Sequence, residues 1–202
     1  EGQKDASATR GEAEVPEGRV IMYVGNLQSY QGIDLLIDAY THVYHRVDDV
    51  QLVIVGGSDD QLAHYRAMTQ QYKIADRVHF LGPRPVDDLG DYLSQAEILV
   101  SPRTQGSNTP MKIFSYLESG RPVLATELGM HTQVLDDEIA VLVPPTPLDM
   151  ARGMLSLLEQ PQYRASLAEA AQVRIHSEFR ADLLDSKLTE FYQELAQTLG
   201  CS

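Results

Sequence analysis

Arg103 and Lys112 flank the run Gly106-Ser107-Asn108-Thr109-Pro110, a flexible turn rich in N-cap residues that leads straight into a proline. Ser, Asn and Thr favour the position before a helix and Pro favours its first residue, so the spacing predicts a helix opening at Pro110. The unpaired backbone N–H groups of such a start attract an anion. A lysine in the first turn works against the helix dipole, at a cost of a few tenths to about 1 kcal/mol. Lys112 stands there nonetheless. Taken alone it also fits a solvated helix face; together with Arg103 and the polar turn it points to a phosphate.

A second loop, Gly25-Asn26-Leu27-Gln28-Ser29-Tyr30-Gln31-Gly32, follows an apolar run. Its glycine spacing is not that of the dinucleotide fingerprint, and neither a Walker A sequence nor a G-x-S-x-G turn occurs in the chain. Gly25 and Asn26 read as ligand contacts rather than plain turn residues, because ligands of open parallel sheets bind beyond the carboxyl ends of the strands. His131, Thr132 and Gln133 fall at the same edge, with capping or packing and catalysis both open for His131. His42, His45, His64, His79 and His176 lack metal-ligand spacing, and solvated helix starts explain most of the pairs Asp59-Asp60, Asp87-Asp88 and Asp136-Asp137.

These loops need a scaffold, and the pattern supplies one. Short Val, Ile and Leu runs at Val20 to Val24, Gln51 to Val55, Val78 to Leu81, Ile98 to Ser101, Val123 to Ala125 and Ala140 to Val143 alternate with helical periods. That alternation predicts an α/β fold, a single doubly wound, Rossmann-like parallel sheet of six strands flanked by helices. Ile33, Leu36, Ile37, Tyr40 and Val43 describe the buried stripe of the first helix. Further helices are expected at Leu62 to Tyr72, from Asp87 and Asp88 through Leu93, after Pro110 with a stripe of Ile113, Phe114 and Leu117, from Pro147, at Tyr163 to His176 and at Ala181 to Leu199. Residues 1–18 lack an apolar period and read as a flexible linker or tail, leaving 19–202 as one domain.

The 202 residues carry a net charge of −13, which argues against nucleic acid and anionic membrane surfaces as partners. The single cysteine, Cys201, offers neither a disulfide framework nor a thiolate cluster and fits a reducing, cytosolic setting. No continuous apolar stretch is long enough to cross a bilayer. The first residue, Glu1, is read as a sign that this is a piece of a longer chain.

Taken in order, MYVGNLQSYQGIDLLIDAY, LVIVGGSDD, ADRVHFLG, DYLSQAEILVSPR, PMKIFSYLESGRPVLAT and VLDDEIAVLVPPTP resemble the C-terminal, donor-binding half of group 1 glycosyltransferases of GT-B architecture, with a P-x-K variant of the signature helix. The resemblance covers about Arg19 to the C-terminus. It implies binding of a UDP- or GDP-linked sugar and its transfer, with retention, to a glycan or lipid-linked acceptor. The donor-binding residues would be Gly25, Asn26, Gln31, Arg103, Gln105, Gly106, Ser107, Asn108, Thr109, Lys112 and Ser115. It implies no metal or other cofactor. The catalytic group and the acceptor site would lie on a partner N-terminal domain, without which these residues would not turn over substrate. The whole would be cytoplasmic, or held at the cytoplasmic membrane face through that domain. The chain departs from the family where an Arg is usual near Asn26 and a Lys near Gln31. It also carries Gln105, Ser115 and Gln133 where glutamates are usual. A sugar-nucleotide epimerase of the same architecture and a non-catalytic interaction domain are the alternative readings.

Overall fold

The apolar runs become strands because each is covered on both faces. In the computed structural model, which describes residues 15–178, they are β1 (Arg19–Val24), β2 (Val50–Val55), β3 (Val78–Gly82), β4 (Ile98–Ser101), β5 (Val123–Thr126) and β6 (Ala140–Val143). Their order is β3-β2-β1-β4-β5-β6, with every pairing parallel. Successive residues of a strand point to opposite faces, so Ile21 and Tyr23 enter one core layer while Val20 and Met22 enter the other. Two covered faces leave no polar alternation, which is why the strands read as continuous apolar segments.

The helices are α1 (Ile33–Tyr44), α2 (Asp59–Gln71), α3 (Leu89–Ser94), α4 (Lys112–Glu118), α5 (Gly129–Thr132), α6 (Pro147–Glu159) and α7 (Pro161–Glu178). The stripe expected for α1 is wholly buried and packs on α6, whose Thr146 cap and Pro147 start follow the sequence signal. On the other face α4 packs against α7.

Four local expectations are corrected. The helix after Pro110 begins two residues late and is only seven residues long, because the Pro110 carbonyl closes a separate turn with the Ile113 N–H at 3.0 Å. Its buried residues are Ile113, Tyr116 and Leu117, whereas Phe114 is half-buried. Asp87 and Asp88 belong to a 3-10 turn, Val86–Asp88, that precedes α3. α2 starts at Asp59 rather than Leu62, so the Asp59-Asp60 pair opens the helix as read, with the Ser58 N–H donating to Gln61 Oε1 at 3.0 Å. α5 was not expected at all; four residues carry no readable period. Val15 packs against the core, so the ordered chain starts before Arg19, while residues 1–14, the helix expected at 181–199 and Cys201 lie outside the described residues.

The strand order fixes where a ligand can sit. From β1 the chain builds outward to β2 and β3 on one side, and to β4, β5 and β6 on the other. The connections that follow β1 and β4 therefore diverge and leave a crevice at the carboxyl edge between them. The two loops singled out above are the loops after β1 and β4.

Candidate functional site

At the end of β1 a side chain replaces the missing ladder partner. Tyr116 of α4 is buried, and its hydroxyl accepts from the Val24 N–H at 2.8 Å and lies 3.3 Å from the Val24 carbonyl. One residue earlier, the Tyr23 hydroxyl donates to the Asn26 carbonyl at 2.6 Å, and burial pushes its pKa up so that it stays a donor. Together they turn the chain into the first loop. That loop then closes on the second: Gly32, at φ 73°, lies so near Pro102 that a Cβ on it would stand 2.0 Å from the Pro102 carbonyl oxygen. The Thr104 N–H donates to the Tyr30 carbonyl at 2.9 Å.

Lys112 is the centre of this edge. Its Nζ donates to Gln31 Oε1 at 3.0 Å and lies 4.0 Å from the centroid of the Tyr23 ring. Gly25 leaves it room, since a Cβ there would be 2.8 Å from Nζ. Gly25, Gln31 and Lys112, predicted separately, are thus brought together, with Tyr23 beneath them. Desolvation, reinforced by the nearby Arg103 charge, lowers the Lys112 pKa to about 7. Neither Lys112 nor Arg103 pairs with a carboxylate among the described residues. The amine meets one neutral acceptor and an aromatic face. It lacks the negative charge that would favour its charged form.

Arg103 does something the sequence did not suggest. Its guanidinium folds back on its own loop, with Nε donating to the Gln105 carbonyl at 2.8 Å and one terminal nitrogen to the Asn108 carbonyl at 3.4 Å, and it lies 5.1 Å from the Tyr30 ring. Gly106, Gln105, Ser107 and Asn108 are exposed around it. Asn26 is exposed too, its side chain accepting from the Gln28 N–H at 3.3 Å. Thr109 donates to Gln133 Oε1 at 3.1 Å, and Gln133 Nε2 donates to the Ser107 carbonyl at 3.2 Å. Ser115 does not join the Lys112 cluster. It lines a groove of about 310 Å³ between α3 and α4 with Leu89, Gly90, Leu93, Glu118 and Ser119.

His131 is wholly buried against Ser101 and Thr126, so of the two roles open from sequence direct catalysis falls, since the ring meets no substrate. Sequence reading missed Tyr23, Tyr116 and Thr126. For Tyr23 and Thr126 the available signal was a polar tip at the carboxyl end of an apolar strand, and for Tyr116 a hydroxyl on the buried stripe of a helix, because a buried Tyr or Thr hydroxyl must find a partner.

The chain matches the family described as glycosyl transferases group 1 over residues 18–160. It is 29% identical over 201 residues to phosphatidyl-myo-inositol mannosyltransferase of Mycobacterium tuberculosis, covering 95% of this chain and 51% of that protein. To D-inositol 3-phosphate glycosyltransferase of Salinispora tropica it is 30% identical over 196 residues, covering 92% of this chain and 40% of that one. The chain therefore spans about half the length, or less, of these relatives. Among solved structures, sucrose-phosphate synthase of Thermosynechococcus elongatus superposes with a TM-score of 0.77 at 25% identity, covering 91% of this chain and 47% of that one. Anabaena HepE, solved in complex with UDP, superposes with a TM-score of 0.79 at 20% identity, covering 88% and 49%.

Proposed function

The chain belongs to the group 1 glycosyltransferases, and from that premise we propose that it is the half of such an enzyme that grips a nucleotide-diphosphate sugar. One observation carries the reading: a lysine amine lies at the sheet's switch point with, among the described residues, only a neutral amide, Gln31, as its acceptor. A diphosphate supplies the missing negative charge. As the bond between sugar and phosphate breaks, charge grows on the leaving oxygens, and a desolvated cation fixed beside them stabilises that charge more than it could in water. Lys112 takes this role, with Arg103 shaping the loop that meets the diphosphate. Side chains do the work in this reading, and no metal ion is required. The groove beside Ser115 is assigned to the ribose end of the donor.

The donor is a UDP- or GDP-linked sugar, transferred with retention to a lipid-linked or glycan acceptor. The relatives' names, which include a phosphatidyl-inositol, support the lipid-linked class. The acceptor and the catalytic group are assigned to a preceding domain that completes the crevice, the whole working in the cytoplasm or at the membrane face. No helix among the described residues is long and apolar enough to cross a membrane.

Calorimetric titration of the 202-residue chain with UDP and with GDP tests the reading. One nucleotide is expected to bind, and Lys112→Ala is expected to weaken it by about a hundredfold, as for loss of a charge-assisted contact in a desolvated site. Equal affinity of both proteins for the nucleotide, or no binding to either at millimolar concentration, would overturn it in favour of a non-catalytic domain.

A further inference from the structure

Three polar side chains are buried where β4, β5 and α5 meet. Ser101, Thr126 and His131 each have 0% of their surface exposed. With a neutral imidazole their hydrogens can be placed in only one consistent way. The Thr126 hydroxyl donates to the Arg103 carbonyl at 2.6 Å, and a hydroxyl has one hydrogen to give. Towards His131 Nδ1, 3.0 Å away, it can therefore only accept, so Nδ1 carries a hydrogen, shared with the Thr126 carbonyl at 2.8 Å. Nε2 is then bare and accepts from the Ser101 hydroxyl at 2.9 Å. Burial lowers the His131 pKa to about 4, which keeps this neutral ring in place at ordinary pH.

The chain of bonds ends on the backbone of Arg103. Apolar residues at 101, 126 and 131 would pack the same space without buried side-chain hydroxyls or an imidazole, but they would leave the Arg103 carbonyl untethered. At the other end of the same loop, the amide of Gln133, just past α5, accepts from the Thr109 hydroxyl and donates to the Ser107 carbonyl. The segment from Thr126 to Gln133 thus holds residues 103 and 107–109 at once.

We propose that this segment is a clamp on the donor loop, in which Thr126, oriented by His131, and Gln133 are positioning residues that fix the loop for a nucleoside diphosphate. The proposal rests on the reading of the crevice as a diphosphate site. Thr126 sets where the Arg103 backbone starts, and the Arg103 side chain then gathers the Gln105 and Asn108 carbonyls around it. Loss of either tether leaves base and ribose contacts untouched and loosens only the part of the site that meets the phosphates.

Two measurements on the full chain test this, one with ligand and one without. Thr126→Val keeps the side-chain volume and Gln133→Ala lies on the surface, so both variants are expected to fold. Affinities for the matched nucleoside and nucleoside diphosphate are compared. Thr126→Val is expected to weaken the diphosphate about tenfold and Gln133→Ala about threefold, the range for a single hydrogen bond, with nucleoside affinity unchanged. In an Arg103→Ala background Thr126→Val should add less than it costs alone, because part of its effect runs through the Arg103 side chain while the tether to the backbone of residue 103 remains to be lost. Equal weakening of nucleoside and diphosphate, or full additivity, would overturn the clamp. Amide hydrogen exchange at residues 104–109, measured without ligand, is expected to speed up about tenfold in Thr126→Val. Unchanged exchange would defeat the clamp even if no nucleotide bound, whereas faster exchange without nucleotide binding would spare the clamp and defeat the diphosphate reading.

Discussion

The two ends of the sheet treat positive charge in opposite ways. At the amino-terminal end Arg19, at the start of β1, pairs with Glu97 at 2.8 Å, and Arg164 of α7 reaches the same carboxylate oxygen at 2.6 Å. Arg19 also donates to the Leu158 carbonyl near the end of α6. These cations are spent on holding β1, β4, α6 and α7 together. At the carboxyl end, Lys112 and Arg103 make no ion pair with a carboxylate among the described residues. A cation that the fold satisfies is architecture; a desolvated cation without a counter-charge carries a penalty that it relieves by giving up its proton or by meeting an anion.

The largest break in that contrast is expected from pH. Lys112 is a base whose folded pKa, about 7, lies well below a lysine's usual value. Between about pH 7 and the unfolded value near 10, the unfolded chain holds a proton that the folded chain has shed, so this group makes stability rise with pH across that window. Binding of an anion runs the other way, because it favours the charged amine and must take up the proton. Nucleoside diphosphate affinity is expected to fall about twentyfold between about pH 6.5 and about pH 8.5. Lys112→Arg, charged throughout, should flatten the profile. Titrations at those two pH values in both proteins check this, and a wild-type profile as flat as the variant's would remove the proton from the account.

A smaller effect is expected at Gly25, where φ is 149° and a Cβ would meet Lys112 Nζ at 2.8 Å and the Tyr23 hydroxyl at 2.9 Å. The ammonium sits on a flexible stem and can yield, so Gly25→Ala should displace it from Gln31 rather than unfold the chain. About tenfold weaker diphosphate binding is expected, with about 1 kcal/mol of lost stability from the strained backbone. A substitution that cost stability but left affinity intact would show that Lys112 need not sit where Gly25 lets it.

How far the sequence reveals this division differs between the two ends. The strands are legible to within a residue because fully covered strands advertise themselves as short β-branched runs. Side-chain direction within them is not, since such a run has no period to show which face Tyr23 takes. Pro110 misleads because proline serves a turn as well as it serves a helix start, and the turn uses its carbonyl. Gln31 reads as a lost charge in sequence, yet in space its amide is the acceptor that Lys112 of a different element reaches across 81 positions. Pairings of that separation leave no mark on local pattern. The same holds for Thr126 and Arg103, and for Arg19 with Glu97.

The smallest effect on binding is expected at the opposite end, and it is the sharpest control. Glu97 is the shared partner of Arg19 and Arg164, its side chain 19% exposed and theirs 29% and 20%. Glu97→Gln keeps the shape but leaves two guanidinium groups facing each other in a partly buried site. That costs about 2 kcal/mol, between the values for exposed and fully buried pairs. For a chain of this size, thermal unfolding should shift down by about 4–8 °C. Nucleotide affinity should stay within about twofold, since a site a strand's length away adds independently. If Glu97→Gln weakened the nucleotide as strongly as Gly25→Ala, the two ends would be one coupled system. The uncompensated charge of Lys112 would then be a property of the whole sheet rather than of a site built for a ligand.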